Sequence, residues 1–542
     1  MPLLLGIDVG TSSTKAIVLD ERGRVRATAS APHPISHPQP GWSEQQPREW
    51  WRSTKESVAA ALLLAHVTPD RADEVAGVGL SGQMHGSVLL DRKTLDSGGV
   101  CDDVLRPALL WNDQRTAAEC REIEDRVGGR GALVRLVGNA ALPGFTLPKW
   151  MWVREHEPAV WGRVAALLMP KDYIGFRMTG AAATDVGDAA GTLLFDVDNR
   201  RWHMDAAAMF GIDPALLPPV HESAAVAGRL TEFAAKELGL KAGTPVVAGS
   251  GDNQCGAIGA GVVEADLFLA TLGTSGVMYA HAGTPWRDLG GSAGTTSRAT
   301  NGPGANAAGD QAAPPGRVHT MCAADGTAIT PGHWSITGCT LAAGGALAWA
   351  RDSVFGGADY DTLFREAGTV APGCEGLVFL PYLTGERCPH PHPTASGAWI
   401  GLTTRHARGH MVRAILEGVA MTMAQILAIM RSTGVDARTC RLGGGGTRSP
   451  LWRDILTAAL NTHTQTMETE EGPAYGAALL AGVGAGVWPS VSGACRATIR
   501  PSQDHEPVRG LVRRYAELAP VYAACYSDLR RTMDRLAATR SQ

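Results

Sequence analysis

Asp8 stands just ahead of Gly10-Thr11-Ser12-Ser13, a run that puts hydroxyls and backbone N–H groups on one tight turn. Such a turn can hold phosphate oxygens without a helix N-terminus or a lysine. A carboxylate beside it can hold Mg²⁺ through water, because that ion dehydrates reluctantly and needs few protein ligands. Alone, the pattern is at least as often an ordinary polar hairpin, and Lys15 beyond it can equally point to solvent. A second turn, Gly273-Thr274-Ser275-Gly276, offers a matching set of donors. Two such hairpins facing across a cleft would suit the triphosphate of a nucleotide, whereas the P-loop pattern G-x-x-x-x-G-K-[ST] is absent.

Three further stretches carry chemistry. Ser250-Gly251-Asp252-Asn253-Gln254 places a carboxylate on a turn after the apolar run PVVAG. Asp252 can cap the following helix, or it can accept the proton of a hydroxyl that attacks phosphorus; the residues leave both open. Gly82-Gln83-Met84-His85-Gly86 follows another apolar run, at a strand end where α/β proteins gather ligand groups. There His85 can hydrogen-bond a polyol while Met84 packs its carbon face, although a lone His is more often structural. Gly443-Gly444-Gly445-Gly446 either lets the backbone approach a base or ribose closely or forms a hinge.

These stretches need strands and helices to position them. LLLGIDV, KAIVLD and RVRATAS alternate as three antiparallel strands over residues 3 to 31. The pattern predicts a helix from Pro47 to about Ala65, a buried strand over Val75 to Gln83, and a helix from Gln254 to Gly261 followed by the hairpin LFLATLGTSGVMYA. The turn at residues 8 to 13 is echoed at 271 to 276, which points to two halves of similar design. MVRAILEGVAMTMAQILAIM is apolar nearly all round and reads as a core helix. Residues 284 to 316 are rich in Gly, Ala, Pro, Ser and Thr and read as a mobile surface insertion.

A chain of 542 residues exceeds what one core supports, so two domains with a cleft are expected. The net charge of -4, without long runs of one sign, argues against a nucleic-acid partner. The start MPLLLGIDVG lacks a signal-peptide pattern, and stretches such as VAALLLAHV are too short to span a bilayer, so no membrane partner is expected. The ten cysteines are scattered without a Cys-x-x-Cys pair, which fits free thiols and a cytoplasmic location.

Taken in order, IDVGTSSTK, WSEQQPREWW, GQMHGSVLLD, RPALLWNDQRT, PGFTLPKWMWVREHEP, MPKDYIGFRMTG, GDNQCGAIGAG, TLGTSGV, FLPYLTGERCPH and LGGGGTRSPLW resemble the FGGY carbohydrate kinases over nearly the whole chain. The Met-His pair after Gly-Gln resembles the branch that takes D-xylulose more closely than the branch that takes glycerol. Two stretches depart from the family pattern: residues 284 to 316 are long, and the GGGGTRSP turn is slightly atypical.

The resemblance implies a two-domain α/β fold of the actin-like or hexokinase-like ATPase type, ribonuclease H-like in each half, with ATP and sugar meeting in the interdomain cleft. Residues 1–255 would bind mainly sugar and residues 256–542 mainly ATP. By the same resemblance Asp252 is the general base, and Asp8 assists Mg²⁺ and phosphate. Met84, His85, Asp252 and Asn253 line the sugar pocket, with Trp111, Asn112 and Asp113 in its wall. Thr11, Ser12, Gly273, Thr274 and Ser275 meet phosphates, and Gly443 to Gly446, Gly444 and Gly445 among them, meet the nucleoside. The implied reaction is phosphorylation of D-xylulose to D-xylulose 5-phosphate in pentose catabolism. The alternatives are a kinase for ribulose, gluconate, fuculose or glycerol, or a non-catalytic sugar- or nucleotide-binding regulator. A homodimer is compatible with the family.

Overall fold

The computed structural model describes residues 2–291, 313–469 and 471–540. Most of the insertion expected at 284 to 316 therefore lies outside the described residues. The first sheet contains β1 (Leu3–Val9), β2 (Ser13–Asp20), β3 (Val25–Pro32), β4 (Val75–Gly82), β5 (Val226–Arg229), β6 (Pro245–Val247) and β7 (Ser250–Gly251). The second contains β8 (Leu267–Leu272), β9 (Gly276–Ala282), β10 (His319–Cys322), β11 (Trp334–Thr340), β12 (Thr439–Gly443), β13 (His463–Met467) and β14 (Pro501–His505).

The two sheets repeat one plan. Across the first, the order is β3-β2-β1-β4-β6-β5, with β7 paired to β4; across the second it is β11-β9-β8-β12-β13-β14, with β10 added beyond β11. Each opens with an antiparallel meander, β1/β2/β3 and β8/β9/β11, and continues with strands parallel to the first, β4 and β6 or β12 and β13. Each ends on an antiparallel edge strand. The short echo between residues 8 to 13 and 271 to 276 thus marks the first hairpin turn of each repeat, in the two-domain α/β architecture that the resemblance implied.

The helix expected from Pro47 is α1 (Pro47–Leu64), and Asp252 opens α2 (Asp252–Gly259). α3 (Gly344–Ser353) follows the second meander, and α4 (Arg408–Ser432) is the core helix of the second half. α4 is long and apolar enough to cross a bilayer, but 78% of its apolar window is buried inside the protein, so its hydrophobicity is spent on packing. α5 (Pro450–Leu460) follows the Gly443 to Gly446 turn.

The chain then returns to the first half. α6 (Gly472–Gly484), with the small-residue sequence GPAYGAALLAGVG, lies on β1 and β4 and against α2. Contact this close needs glycine on the sheet: a Cβ built at Gly6 would lie 2.0 Å from the Ala474 carbonyl oxygen, and one at Gly79 would lie 1.9 Å from that of Ala477. Neither obstacle is a side chain that can swing aside. Replacing Gly79 by Ala is therefore expected to cost at least about 1–3 kcal/mol, as overpacking does, and to lower the thermal midpoint measured by calorimetry. An unchanged midpoint would mean that α6 lifts off the sheet without cost.

Candidate active site

Strand register brings the carboxylates together. Asp8 pairs with Ser81 of β4 across the parallel β1/β4 ladder, and Ser81 pairs with Ser250 of β7 on its other side. Asp252 follows β7 immediately, so the two carboxylates stand at the carboxyl ends of two strands that flank β4 in parallel, where α/β sheets place their sites. Ser81 Oγ donates to Asp8 Oδ1 at 2.9 Å. Burial raises the pKa of Asp8, opposed by that hydrogen bond and by the charge of Lys15. Asp252 is pushed up to about 7, first by burial and then by the negative charge of Asp8. The helix-capping alternative is not realised: the N-cap of α2 is Gly251, and no side chain caps it.

The first turn is held rigidly. Gly10 N–H donates to the Ser13 carbonyl and His33 N–H to that of Ser12, both at 3.1 Å. Gln45 Nε2 donates to the Thr11 carbonyl at 2.7 Å, and Trp111 Nε1 donates to Thr11 Oγ1 at 3.0 Å. Trp111 therefore engages the turn with its polar edge. Asp113 is not free to line a pocket, being fully buried in an ion pair with Arg115 and accepting from Ser43 N–H at 2.7 Å. Asn112 Oδ1 is buried without a hydrogen-bond partner among the described residues.

Met84 packs against the residues on either side of Asp252. A Cβ at Gly251 would strike Met84 Cγ at 2.4 Å, and Asn253 Nδ2 sits 3.7 Å from Met84 Sδ. His85 takes a left-handed backbone conformation (φ 64°), and its Nδ1 lies 3.2 Å from the Gly191 carbonyl. A carbonyl only accepts, so Nδ1 carries the proton and Nε2 presents its lone pair. Burial, reinforced by Lys149, Arg387 and His319, holds the His85 pKa well below its usual value and keeps the ring neutral. The ring stacks on Phe145 at 4.4 Å, and Phe145 in turn meets His319 at 5.2 Å.

The second turn and the glycine loop are also neighbours. Gly443 of β12 pairs with Thr271 of β8, one turn away from Gly273. The N–H groups of Gly344 and Ala343 at the start of α3 donate to the Gly273 and Thr274 carbonyls, each at 2.8 Å. A Cβ at Gly444 would collide with the Leu272 carbonyl oxygen at 2.6 Å, whereas one at Gly445 would meet nothing within 4 Å. Packing thus requires glycine at Gly444, and Gly445 borders open space.

Several groups around the site were not singled out in the sequence. Lys149 Nζ is buried and donates to the His85 and Gly144 carbonyls at 2.8 and 2.6 Å; burial lowers its pKa to about 7. Arg387 forms no ion pair or hydrogen bond through its guanidinium among the described residues, and a Cβ at Gly144 would lie 3.4 Å from its Nη2. Below Asp252, Lys171 Nζ is fully buried among Asp172, Asp185 and Asp188 at 2.6, 2.9 and 3.4 Å. Burial opposes its charge, but the three carboxylates outweigh burial and hold its pKa well above normal. Asp185 Oδ2 also accepts from Ser250 Oγ at 2.7 Å, which ties this cluster to the strand that delivers Asp252.

Comparison with known proteins matches this arrangement to the N-terminal domain model of the FGGY family of carbohydrate kinases over residues 3–259 and to its C-terminal domain model over residues 269–485. The chain belongs to the FGGY family of carbohydrate kinases. It is 34% identical over 527 residues to a xylulose kinase of Bacillus subtilis, covering 97% of each chain. A xylulose kinase of Escherichia coli is 37% identical over 485 residues, covering 89% of this chain and 90% of the relative. A crystal structure described as a xyloylose kinase from Brucella ovis superposes with a TM-score of 0.84 at 33% identity, covering 98% of this chain and all of the other. The protein is thus a carbohydrate kinase of a family that uses ATP, on the actin-like ATPase fold.

Removing Lys171 would strand three buried carboxylates beneath the site. Lys171→Met is expected to cost about 3–5 kcal/mol, as breaking a buried ionic cluster does, read from urea unfolding. A cost below about 1 kcal/mol would show that the cluster does not hold β7 in place.

Proposed function

We propose that the protein transfers the γ-phosphoryl group of ATP to the 5-hydroxyl of D-xylulose, giving D-xylulose 5-phosphate and ADP, with Asp252 as general base. The observation that carries this reading is the placement of Asp252: a carboxylate at a strand end, within reach of the charge of a second carboxylate, Asp8, and pushed up to about 7 mainly by burial. A base acts best when its pKa lies close to the working pH. The substrate assignment rests on the xylulose kinases among the relatives and on the Met84-His85 pair.

The sugar oxygen attacks phosphorus as its proton passes to Asp252, and the bond from phosphorus to the bridging oxygen of ADP breaks. His85 Nε2 accepts a hydrogen bond from a sugar hydroxyl, Met84 and Phe145 cover carbon faces, and Asn253 supplies a further amide. Thr11 and Ser12 on one turn, with Gly273, Thr274 and Ser275 on the other, donate to phosphate oxygens. Gly445 opens the loop to the nucleoside. Asp8 would hold a hydrated Mg²⁺, since burial leaves its carboxylate in need of positive charge. When bound, that ion neutralises the phosphate oxygens. Closure of the two halves keeps water from the phosphoryl group.

Asp252→Asn is expected to lower kcat by about 10²- to 10⁴-fold, the range of a lost general base; near-normal turnover would overturn the assignment. The base must be deprotonated to accept, so kcat/KM should fall as pH drops through about 7. Asp8→Asn removes the repelling charge and should move that acid limb to lower pH, whatever it does to the maximum rate. ADP release measured with D-xylulose, D-ribulose, L-ribulose, gluconate and glycerol tests the substrate. Preference for another polyol would keep the base and replace D-xylulose.

A further inference from the structure

Away from the site, the second sheet carries a cluster that phosphoryl transfer does not use. His281 lies near the end of β9, Asp325 follows β10, and His333 precedes β11. His281 Nε2 and His333 Nδ1 lie 3.0 and 2.6 Å from the same oxygen of Asp325, Oδ2. The three donor atoms are within 4.8 Å of one another. Two features pre-position the set. The His281 backbone is fixed by its pairing with Ser335 across β9/β11, and the second oxygen of Asp325 accepts the His333 N–H at 2.8 Å.

We propose that His281, Asp325 and His333 form a site for a borderline transition-metal ion of the Zn²⁺ class, separate from the nucleotide site. Two imidazoles and one carboxylate suit Zn²⁺, Co²⁺, Ni²⁺ or Cu²⁺ and not the hard ion Mg²⁺. Three protein ligands leave a fourth position for water, as in open zinc sites. Access lies on the His333 side: the His281 and Asp325 side chains are only 4% and 7% exposed, while that of His333 is 55% exposed. Metal–ligand bonds of about 2.0–2.2 Å require only that the imidazoles spread slightly from one shared oxygen. His333 can do this by rotating its exposed side chain. Arg200, whose guanidinium reaches the His333 carbonyl, is already paired with Glu222 through bonds of 2.6 and 2.7 Å.

The position gives the ion a mechanical role. The segment carrying Asp325 and His333 is bonded to the first half of the chain, through Arg200 Nη1 to the His333 carbonyl at 2.7 Å and Ala224 N–H to the Gly326 carbonyl at 3.1 Å. An ion joining that segment to β9 would fix to its own sheet the part of the second half that bonds to the first.

The test uses full-length, tag-free protein, stripped with EDTA and exchanged into buffer with excess Mg²⁺. Co²⁺ is expected to bind with saturation at one ion per chain, giving a visible d–d absorption band that Zn²⁺ displaces, and to raise the thermal midpoint. His333→Ala, a change at an exposed side chain, should abolish the band while leaving kinase activity within about twofold, the range of surface substitutions. Asp325→Asn should weaken binding by at least about tenfold, as loss of a ligand does. Absence of a saturable band in the unmodified protein, or its persistence in His333→Ala, would overturn the site. Kinase activity enters only as a check on folding, so a failed substrate assignment leaves this result readable.

Discussion

Two like charges held at the ends of the two strands that flank β4 set the terms for the rest of the molecule. Asp8 and Asp252 are delivered by a register that offers them no freedom to separate, in a region where burial disfavours their ionised forms. A cost of this kind persists only where the surroundings over-determine the geometry. Here the restraint on Asp8 is the hydroxyl of Ser81 and the charge of Lys15. The restraint on Asp252 comes through the chain: Ser250, two residues earlier, is bonded to Asp185, which is bonded to Lys171. The buried ionic cluster is therefore a foundation for the carboxylate and not a second site, and its full burial at Lys171 leaves no path for a substrate.

The same constraint explains why small residues are concentrated where they are. To present the ends of β1 and β4, the sheet between them must be covered on the far side, and the cover comes from α6, about four hundred residues later in the chain. The helix approaches so closely that Gly6 and Gly79 touch its backbone. A bulkier residue at either glycine would meet that backbone, so the helix or the strand would have to shift. In the second half the same strand plan is repeated, and Gly444 does for Leu272 what Gly79 does for Ala477. It allows a loop to lie directly on the hairpin strand.

What was legible in the sequence was local. The turns at Gly10 and Gly273, the carboxylate after PVVAG and the glycine run all declare themselves within a few residues, because hairpins and strand ends have short-range signatures. The echo between the two turns was short, yet it indexed a repeat of six strands. Lys149, Lys171 and Arg387 gave no such signal. In a sequence a lysine flanked by ordinary residues reads as a solvated side chain, and only the fold shows Lys149 donating to two carbonyls or Lys171 meeting three carboxylates. Asp113 shows the converse. It stands beside Trp111 and Asn112, yet its carboxylate is spent on Arg115, because adjacent residues on an irregular segment face in different directions.

Charge is also divided across the site in a way that bears on the proposed reaction. Asp8 and Asp252 bring negative charge to the strand ends, while Lys149 and Arg387 bring positive charge near His85, and burial holds the His85 and His319 imidazoles neutral. Arg387 belongs to the second half, and its guanidinium reaches the loop at Gly144 without a counter-ion among the described residues. Cys339, beside Ser275 of the second turn, lies within electrostatic reach of both Arg387 and Asp252. In the reaction proposed above, Asp252 would take the proton of the hydroxyl while Arg387 would offset negative charge on the phosphoryl oxygens, and exclusion of water would leave both fixed charges weakly screened.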